Sequence, residues 1–298
     1  MRRFILFLAL TLMAISAYAN IHIVAAENMY GNIAQALGGK NVSVSSILNN
    51  PNQDPHLFSA DPKTVKLLNS LSSEDIMIVN GADYDPWAVN LLNDTKAQVI
   101  NVAKVNNVTT GSNPHLWYNL AYVESFAKTL AGILIKNDPS HQAEYQKNLD
   151  NFLDKTNQLQ QQINVLKTHY PNLPITATEP VAGYLLDALG FNVLDQGFQL
   201  SIMNDTEPSA KDRAQIIDDL KSHKVVLLVY NEQVKDPTTD MIKEIAMNAN
   251  IAIVGVSELM PPDMNYISWY QANLNSINTT IKNRKLTNLI EPRTPTTA

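Results

Sequence analysis

Residues 141 to 169, HQAEYQKNLDNFLDKTNQLQQQINVLKTH, contain neither glycine nor proline, and Asp138-Pro139 and Tyr170-Pro171 fence them at either side. Within them Tyr145, Leu149, Phe152, Leu153, Thr156, Leu159, Ile163 and Leu166 recur mostly at three- and four-residue steps, the spacing that gathers side chains on one face of a helix. At ~1.5 Å per residue such a helix is roughly 40 Å long, enough to run the length of a two-domain protein. Each border proline disfavours helical geometry in the residue before it, so both ends have natural stops. We read residues 139 to 170 as a linking helix between a front and a rear half. A coiled-coil dimer seam is the other use of such a stripe, but the polar face is rich in Gln and Asn and poor in paired charges.

The two halves carry the same pattern. In front, IHIVAA, NVSVSSIL, DIMIVNG and QVINVA read as short strands. Helices fall between them, one opening at Asp61-Pro62, with Asp as N-cap and Pro at the first helical position, and one starting from Asp85-Pro86-Trp87. A helix over YVESFAKTLAGILI closes that half. Behind, PITAT, VVLLVYN and IAIVGV are strands, while VAGYLLDALGF, a segment opening at Ser209 with capping-box spacing to Asp212, TTDMIKEIAMNA and YISWYQANLNSINTTI are helices. Strand-helix alternation of this kind builds parallel sheets from βαβ units. The expected fold class is α/β, two parallel-sheet domains joined by a long rigid helix. The boundaries are 20–138 and 171–290 for the lobes, 139–170 for the linker and 291–298 for a loose tail.

Arg2-Arg3, the apolar run FILFLALTLMAISA and Ala17-Tyr18-Ala19 have the form of a secretory leader over residues 1–19. That run is shorter than the ~20 residues a membrane-spanning helix needs. Without the leader, 20 basic residues stand against 28 acidic ones, a formal charge of −8. Such a balance disfavours nucleic acid and anionic lipid and favours a cation. The chain has no cysteine, which removes thiolate chemistry and the lipidated cysteine that tethers many exported proteins. A periplasmic protein, not a lipoprotein, is expected.

Only six histidines occur, and two share one local setting: His56 in DPHLF and His115 in NPHLWYN each follow a proline and precede a Leu-aromatic pair. Proline fixes its own φ and stiffens the turn that presents the imidazole. His56 lies after the strand NVSVSSIL, His115 after QVINVA, Glu179 directly after PITAT, and Glu258 just after IAIVGV. In open α/β sheets ligands bind beyond the carboxyl ends of strands. Two imidazoles from the front lobe and two carboxylates from the rear lobe would then face one cleft. That donor set suits a divalent first-row ion, Zn²⁺, Mn²⁺ or Fe²⁺, with two negative charges offsetting the metal's own. Each residue also has a plainer use: a hydrogen-bonded turn for either histidine, a helix N-terminal carboxylate for Glu179, a solvent-facing position for Glu258.

Taken in order, the blocks resemble the solute-binding proteins of metal-ion ABC transporters, the cluster A-I or TroA-like family of zinc and manganese receptors. DPHLFSADPKTVKLLNSLSSEDIMIVNGADYDPW is similar to that family's DPH, helix, strand, Asn-Gly, Pro-Trp segment. NPHLWYN is similar to its second DPHxW block, TEPVAGYLLDALG to the block with its third ligand, and EPSAKD to its Glu-Pro-Ser-x-Lys-Asp helix start. The resemblance runs from about residue 21 to 282. It implies a metal ion between two lobes, with His56, His115, Glu179 and Glu258 as first to fourth ligands, and a membrane permease as partner. Glu at the third position is as in the family's manganese-type members. The fourth ligand is usually Asp, so Glu258 departs from the pattern, and the His- and acid-rich loop of many zinc receptors is missing.

The functional expectation is therefore a monomeric receptor that captures one divalent ion and delivers it to the permease. The rigid linker implies small rearrangements on binding, chiefly in the loops of Glu179 and Glu258. The alternative is a secreted metal-dependent hydrolase, with Glu207 or Asp54 as acid or base. It would need an open coordination position for water, and the chain has no HExxH-type motif. Phe58, Trp87 and Trp117 are expected to pack under the ligand loops.

Overall fold

The computed structural model describes residues 21 to 290 apart from positions 52, 54, 56, 57, 93 and 94, and of residues 285 to 290 the backbone alone. The expected leader, the tail, His56 and Asp54 lie outside the described residues. Among these residues no helix is long and apolar enough to cross a membrane.

The first lobe is built from β1 (Ile21–Glu27), α1 (Asn28–Gly38), β2 (Val42–Leu48), α2 (Pro62–Asn69), β3 (Ile76–Val79), α3 (Pro86–Leu91), β4 (Gln98–Asn101), α4 (Val102–Val105) and α5 (Leu120–Asn137). Its strands form one parallel sheet in the order β2-β1-β3-β4. All four residues of β3, IMIV, are buried, as a central strand covered by helices on both faces requires. Asp61 caps α2 as its sequence indicates, accepting from the Thr64 backbone N–H at 2.7 Å.

After α6 (Gln142–His169), the second lobe follows with β5 (Pro174–Ala177), α7 (Gly183–Ala188), β6 (Asn192–Val193), α8 (Gln196–Met203), α9 (Ala210–Lys221), β7 (Leu227–Asn231), α10 (Pro237–Asn248), β8 (Ala252–Val256) and α11 (Tyr266–Ile290). Its sheet, β6-β5-β7-β8, is also parallel and repeats the strand order of the first.

α6 buries Tyr145, Leu149, Phe152, Thr156, Leu159 and Ile163, the stripe its periodicity marks out. This face packs on α1 and α5 of the first lobe and on α7 and α11 of the second, so the stripe is used within the molecule. One apolar cluster runs through both lobes, from Ile23 and Phe126 to Leu227 and Ile277. Separate cores lie on the outer face of each sheet, around Met77 in the first lobe and Ile242 in the second. Polar contacts reinforce the seam: the Tyr266 and Tyr270 hydroxyls donate to the carbonyls of Trp117 and Tyr118, at 2.7 and 3.1 Å.

Four elements depart from the pattern reading, the first being β6, a two-residue strand where the pattern marks none. Val102 and Ala103 leave the strand for α4 because the Asn101 side chain caps the Lys104 N–H at 2.9 Å. The helix expected over VAGYLLDALGF is regular only at Gly183–Ala188, and the chain turns at Gly190, where φ is +70°. α8 was not foreseen. It opens at Asp195, which adopts a left-handed φ of 59° and offers no side-chain cap.

Candidate metal site

Each sheet reverses its winding between β1 and β3, or between β5 and β7, and the crevice beyond the strand ends at such a reversal is where side chains from two loops converge. Glu258 stands two residues beyond β8 and is fully buried. A buried carboxylate needs donors to replace water. Its Oε1 accepts from the Asn231 amide at 2.6 Å and its Oε2 from the Tyr84 hydroxyl at 2.7 Å. Asn231 ends β7 of the same lobe, whereas Tyr84 comes from the loop after β3 of the other. Burial, followed by the charge of Glu258, pushes the Tyr84 hydroxyl well above its ordinary value, so it stays a donor.

The backbone around Glu258 is held as firmly. Gln233 Oε1 accepts from the N–H groups of Glu258 and Leu259. Asn28, at the start of α1, both donates to the Met260 carbonyl at 2.6 Å and accepts from its N–H at 3.0 Å. Tyr118 donates to the Ser257 carbonyl at 2.8 Å. These ties restrict the rearrangement expected of this loop.

His115 is also fully buried, at the start of a short 3-10 turn over Leu116–Tyr118. Its Nδ1 lies 2.7 Å from Asn113 Oδ1, and its Nε2 lies 3.7 Å from Glu258 Oε2. The rings of Tyr84 and Trp117 stand edge-on to the imidazole, with centroids at 5.9 and 5.4 Å. Phe58 and Trp87 pack against each other at 4.6 Å. Together with Pro55, Tyr84, Pro114 and Met203 they line a cleft of about 310 Å³ between the lobes. A larger groove, about 690 Å³, runs between α6 and α11 but has no carboxylate in its lining.

Glu179 follows β5 and is 4% exposed. α7 starts only at Gly183 and has no acidic residue in its first turn, so Glu179 is not a dipole-favoured helix terminus. Its loop is held by the Thr178 N–H on the Val229 carbonyl and by Asn113, whose amide donates to the Pro180 carbonyl at 2.7 Å.

The structure thus brings His115 and Glu258 face to face and sets the loop of Glu179 against that of His115. It does not gather Glu179 into the pair: among the described residues no group of three or more His, Asp or Glu side chains stands ready to hold an ion. His56 lies outside the described residues. Gln53, three positions earlier, accepts from Gln233 Nε2 at 3.2 Å through its carbonyl, so the chain leading to His56 starts beside the residue that supports Glu258. Of the remaining histidines, His141 bonds Asp138 and His22 lies 3.5 Å from Ser45 Oγ.

Sequence reasoning missed Tyr84, Asn113, Asn231 and Gln233. Asn80 and Asn231 occupy matching places after β3 and at the end of β7, and that repetition was the available signal. It also missed a buried carboxyl pair in the first lobe. Glu27 and Asp85 are 0% and 1% exposed. Burial, then the Asp85 charge, raises Glu27 well above the ordinary carboxyl range, and neither of its carboxyl oxygens meets a donor. Asp85 accepts from the N–H groups of Asn80 and Gly81 at 2.7 and 2.8 Å, yet burial still pushes it up to about 6. The Asp85 side chain therefore turns back to the end of β3 instead of capping α3.

Comparison with known proteins agrees with this architecture. Residues 23–280 match the family described as ZnuA, zinc-uptake complex component A, periplasmic. The manganese ABC transporter substrate-binding lipoprotein PsaA of Streptococcus anginosus is 24% identical over 281 residues, covering 86% of this chain and 88% of its own. The periplasmic zinc-binding protein TroA of Treponema pallidum superposes with a TM-score of 0.73 at 15% identity, over 88% of this chain and 99% of its own. FpvC of Pseudomonas aeruginosa, solved in complex with Mn²⁺, gives 0.71 at 17% identity, over 89% and 100%. One expectation is overturned. PsaA of S. anginosus and scaA of Streptococcus gordonii are both named lipoproteins, so the unanchored assignment does not stand. It leaned on the absence of cysteine, which bears on one kind of attachment and not on where a chain works. Matched along nearly its whole described length, the chain belongs to the ZnuA family, the substrate-binding components of metal ABC transporters.

Proposed function

We propose that this chain captures one divalent first-row ion through His56, His115, Glu179 and Glu258 and hands it to the permease of its transporter. The single observation that supports this most is the 3.7 Å approach of His115 Nε2 to Glu258 Oε2 across two lobes, both groups fully buried. That gap is too long for a hydrogen bond. It lies within what one ion spans when each donor sits about 2.0 to 2.2 Å from it. The lobes that carry the donors are residues 20–138 and 171–290, with 139–170 between them.

Four protein donors close a coordination shell, which suits carriage and leaves no position for an activated water, so the chain is a carrier and not an enzyme. It works as a monomer, and its acidic balance gives nucleic acid no purchase. Mn²⁺ and Zn²⁺ compete for this donor set. Zinc is the tighter ligand in any such site by the general affinity order, and supply decides which ion is carried.

Titration calorimetry with Mn²⁺ and Zn²⁺ on the wild type, His56→Ala, His115→Ala and His169→Ala tests the reading. Replacing a direct ligand should weaken binding by more than about 100-fold, since even supporting partners are worth 10- to 100-fold. His169→Ala should match the wild type. Equal effects of His56→Ala and His169→Ala would end the proposal.

A further inference from the structure

We propose that Asn113 is a positioning residue that yokes the second ligand loop to the third, a role resting on the ligand reading above. Its side-chain Oδ1 accepts from the His115 backbone N–H at 3.0 Å and lies 2.7 Å from His115 Nδ1. Its Nδ2 donates to the Pro180 carbonyl at 2.7 Å, next to Glu179, and its own carbonyl accepts from the Tyr184 hydroxyl at 2.8 Å. One residue thus reaches from the loop of His115 into the loop of Glu179 by two separate arms.

The amide's orientation is dictated by its neighbours. A backbone N–H can only donate and the Pro180 carbonyl can only accept, so the oxygen must face His115 and the nitrogen must face Pro180. With an acceptor beside it, His115 Nδ1 must carry the proton. The lone pair is then on Nε2, the atom directed at Glu258. Asn113 accordingly sets the tautomer of one ligand and the position of another in the same stroke.

A carboxylate at this position could do only half of this. The first Pro-His block of the chain has Asp54 where the second has Asn113. Aspartate at 113 would still accept from Nδ1–H, but it has no proton to give Pro180 and would oppose two oxygens at the distance where the amide now bonds. Gly183 marks the tightness of the fit: a Cβ there would lie 2.8 Å from Asn113 Nδ2. The space beside the amide is kept clear by the first residue of α7.

The test compares Asn113→Asp, Asn113→Ala and Gly183→Ala in the full chain, by Mn²⁺ and Zn²⁺ titration and by ¹⁵N NMR of the imidazole ring. Asn113→Ala should lose about 10- to 100-fold in affinity and lose the Nδ1–H signature of His115. Asn113→Asp should keep that signature and still lose roughly 10-fold, because only the Pro180 arm is gone. Gly183→Ala, which leaves both residues of the yoke intact and displaces the amide, should weaken binding in the same direction and serves if the Asn113 variants fail to fold. Wild-type affinity in Asn113→Asp, or in Gly183→Ala where the former is unfolded, would overturn the yoke. Wild-type affinity in His115→Ala would instead overturn the ligand assignment, so the two failures are distinct.

Discussion

The two lobes share one strand order but treat their buried carboxyl groups in opposite ways. In the first lobe Glu27 and Asp85 face each other in a dry interior, and neither carboxyl oxygen of Glu27 meets a donor. Sharing a proton is the inexpensive solution for two such groups. In the second lobe both oxygens of Glu258 meet neutral donors, the amide of Asn231 and the hydroxyl of Tyr84, an environment that rewards negative charge. Depth of burial is the same in both places. What separates a structural acid from a candidate ligand is the donor set around it and an opposing lone pair, here His115 Nε2.

That contrast can be broken most directly at Glu258. Glu258→Gln keeps the shape but turns an NH₂ toward Asn231 or Tyr84, and calorimetry should show Mn²⁺ and Zn²⁺ affinity falling by more than about 100-fold. Retention of wild-type affinity would make Glu258 no more functional than Glu27.

The next largest effect belongs to the first lobe. Folded values raised above the unfolded ones give both acids a stabilising contribution that is complete below about pH 4 and lost as pH rises, through about 6 for Asp85. Moving Asp85 from 3.8 to about 6 corresponds to roughly 3 kcal/mol. Glu27→Gln supplies a permanent donor to Asp85. Denaturant melts of the variant should therefore show a flatter slope between pH 4 and 7 than those of the wild type, and an unchanged slope would show that the pair does not titrate together.

Tyr84→Phe sharpens the comparison by removing one donor from Glu258 with the ring left in place. About 10-fold weaker metal binding is expected, with little change in melting temperature; no change would mean that Asn231 alone holds the carboxylate. Smallest are the helix caps. Asp61→Ala in the first lobe and Ser209→Ala in the second each remove a side-chain acceptor, for Thr64 N–H and Asp212 N–H respectively. Chemical denaturation should register about 1 kcal/mol for both, and neither should alter affinity.

Much of this was legible from the sequence because it is local. The caps at Asp61 and Ser209, the linker's stripe and the buried run of β3 all depend on residues within a turn or two of one another. Placement of His115, Glu179 and Glu258 after strands followed from the alternation alone. What escaped is what depends on distance along the chain. Tyr84 and Glu258 are 174 positions apart, and nothing near Tyr84 marks it as a donor. Glu27 sits at a helix start, where an acid is ordinary, and Asp85 stands at another, directly before Pro86. α8 escaped because its first turn has no capping side chain to announce it.

The apolar cluster that runs unbroken from β1 to α11 has a bearing on how the molecule comes apart. Two sheets suggest two melting events, yet neither lobe owns the greater part of its own interior. Heat or denaturant should therefore dismantle the whole in a single cooperative step, and a gene cut at the linker should yield two insoluble halves.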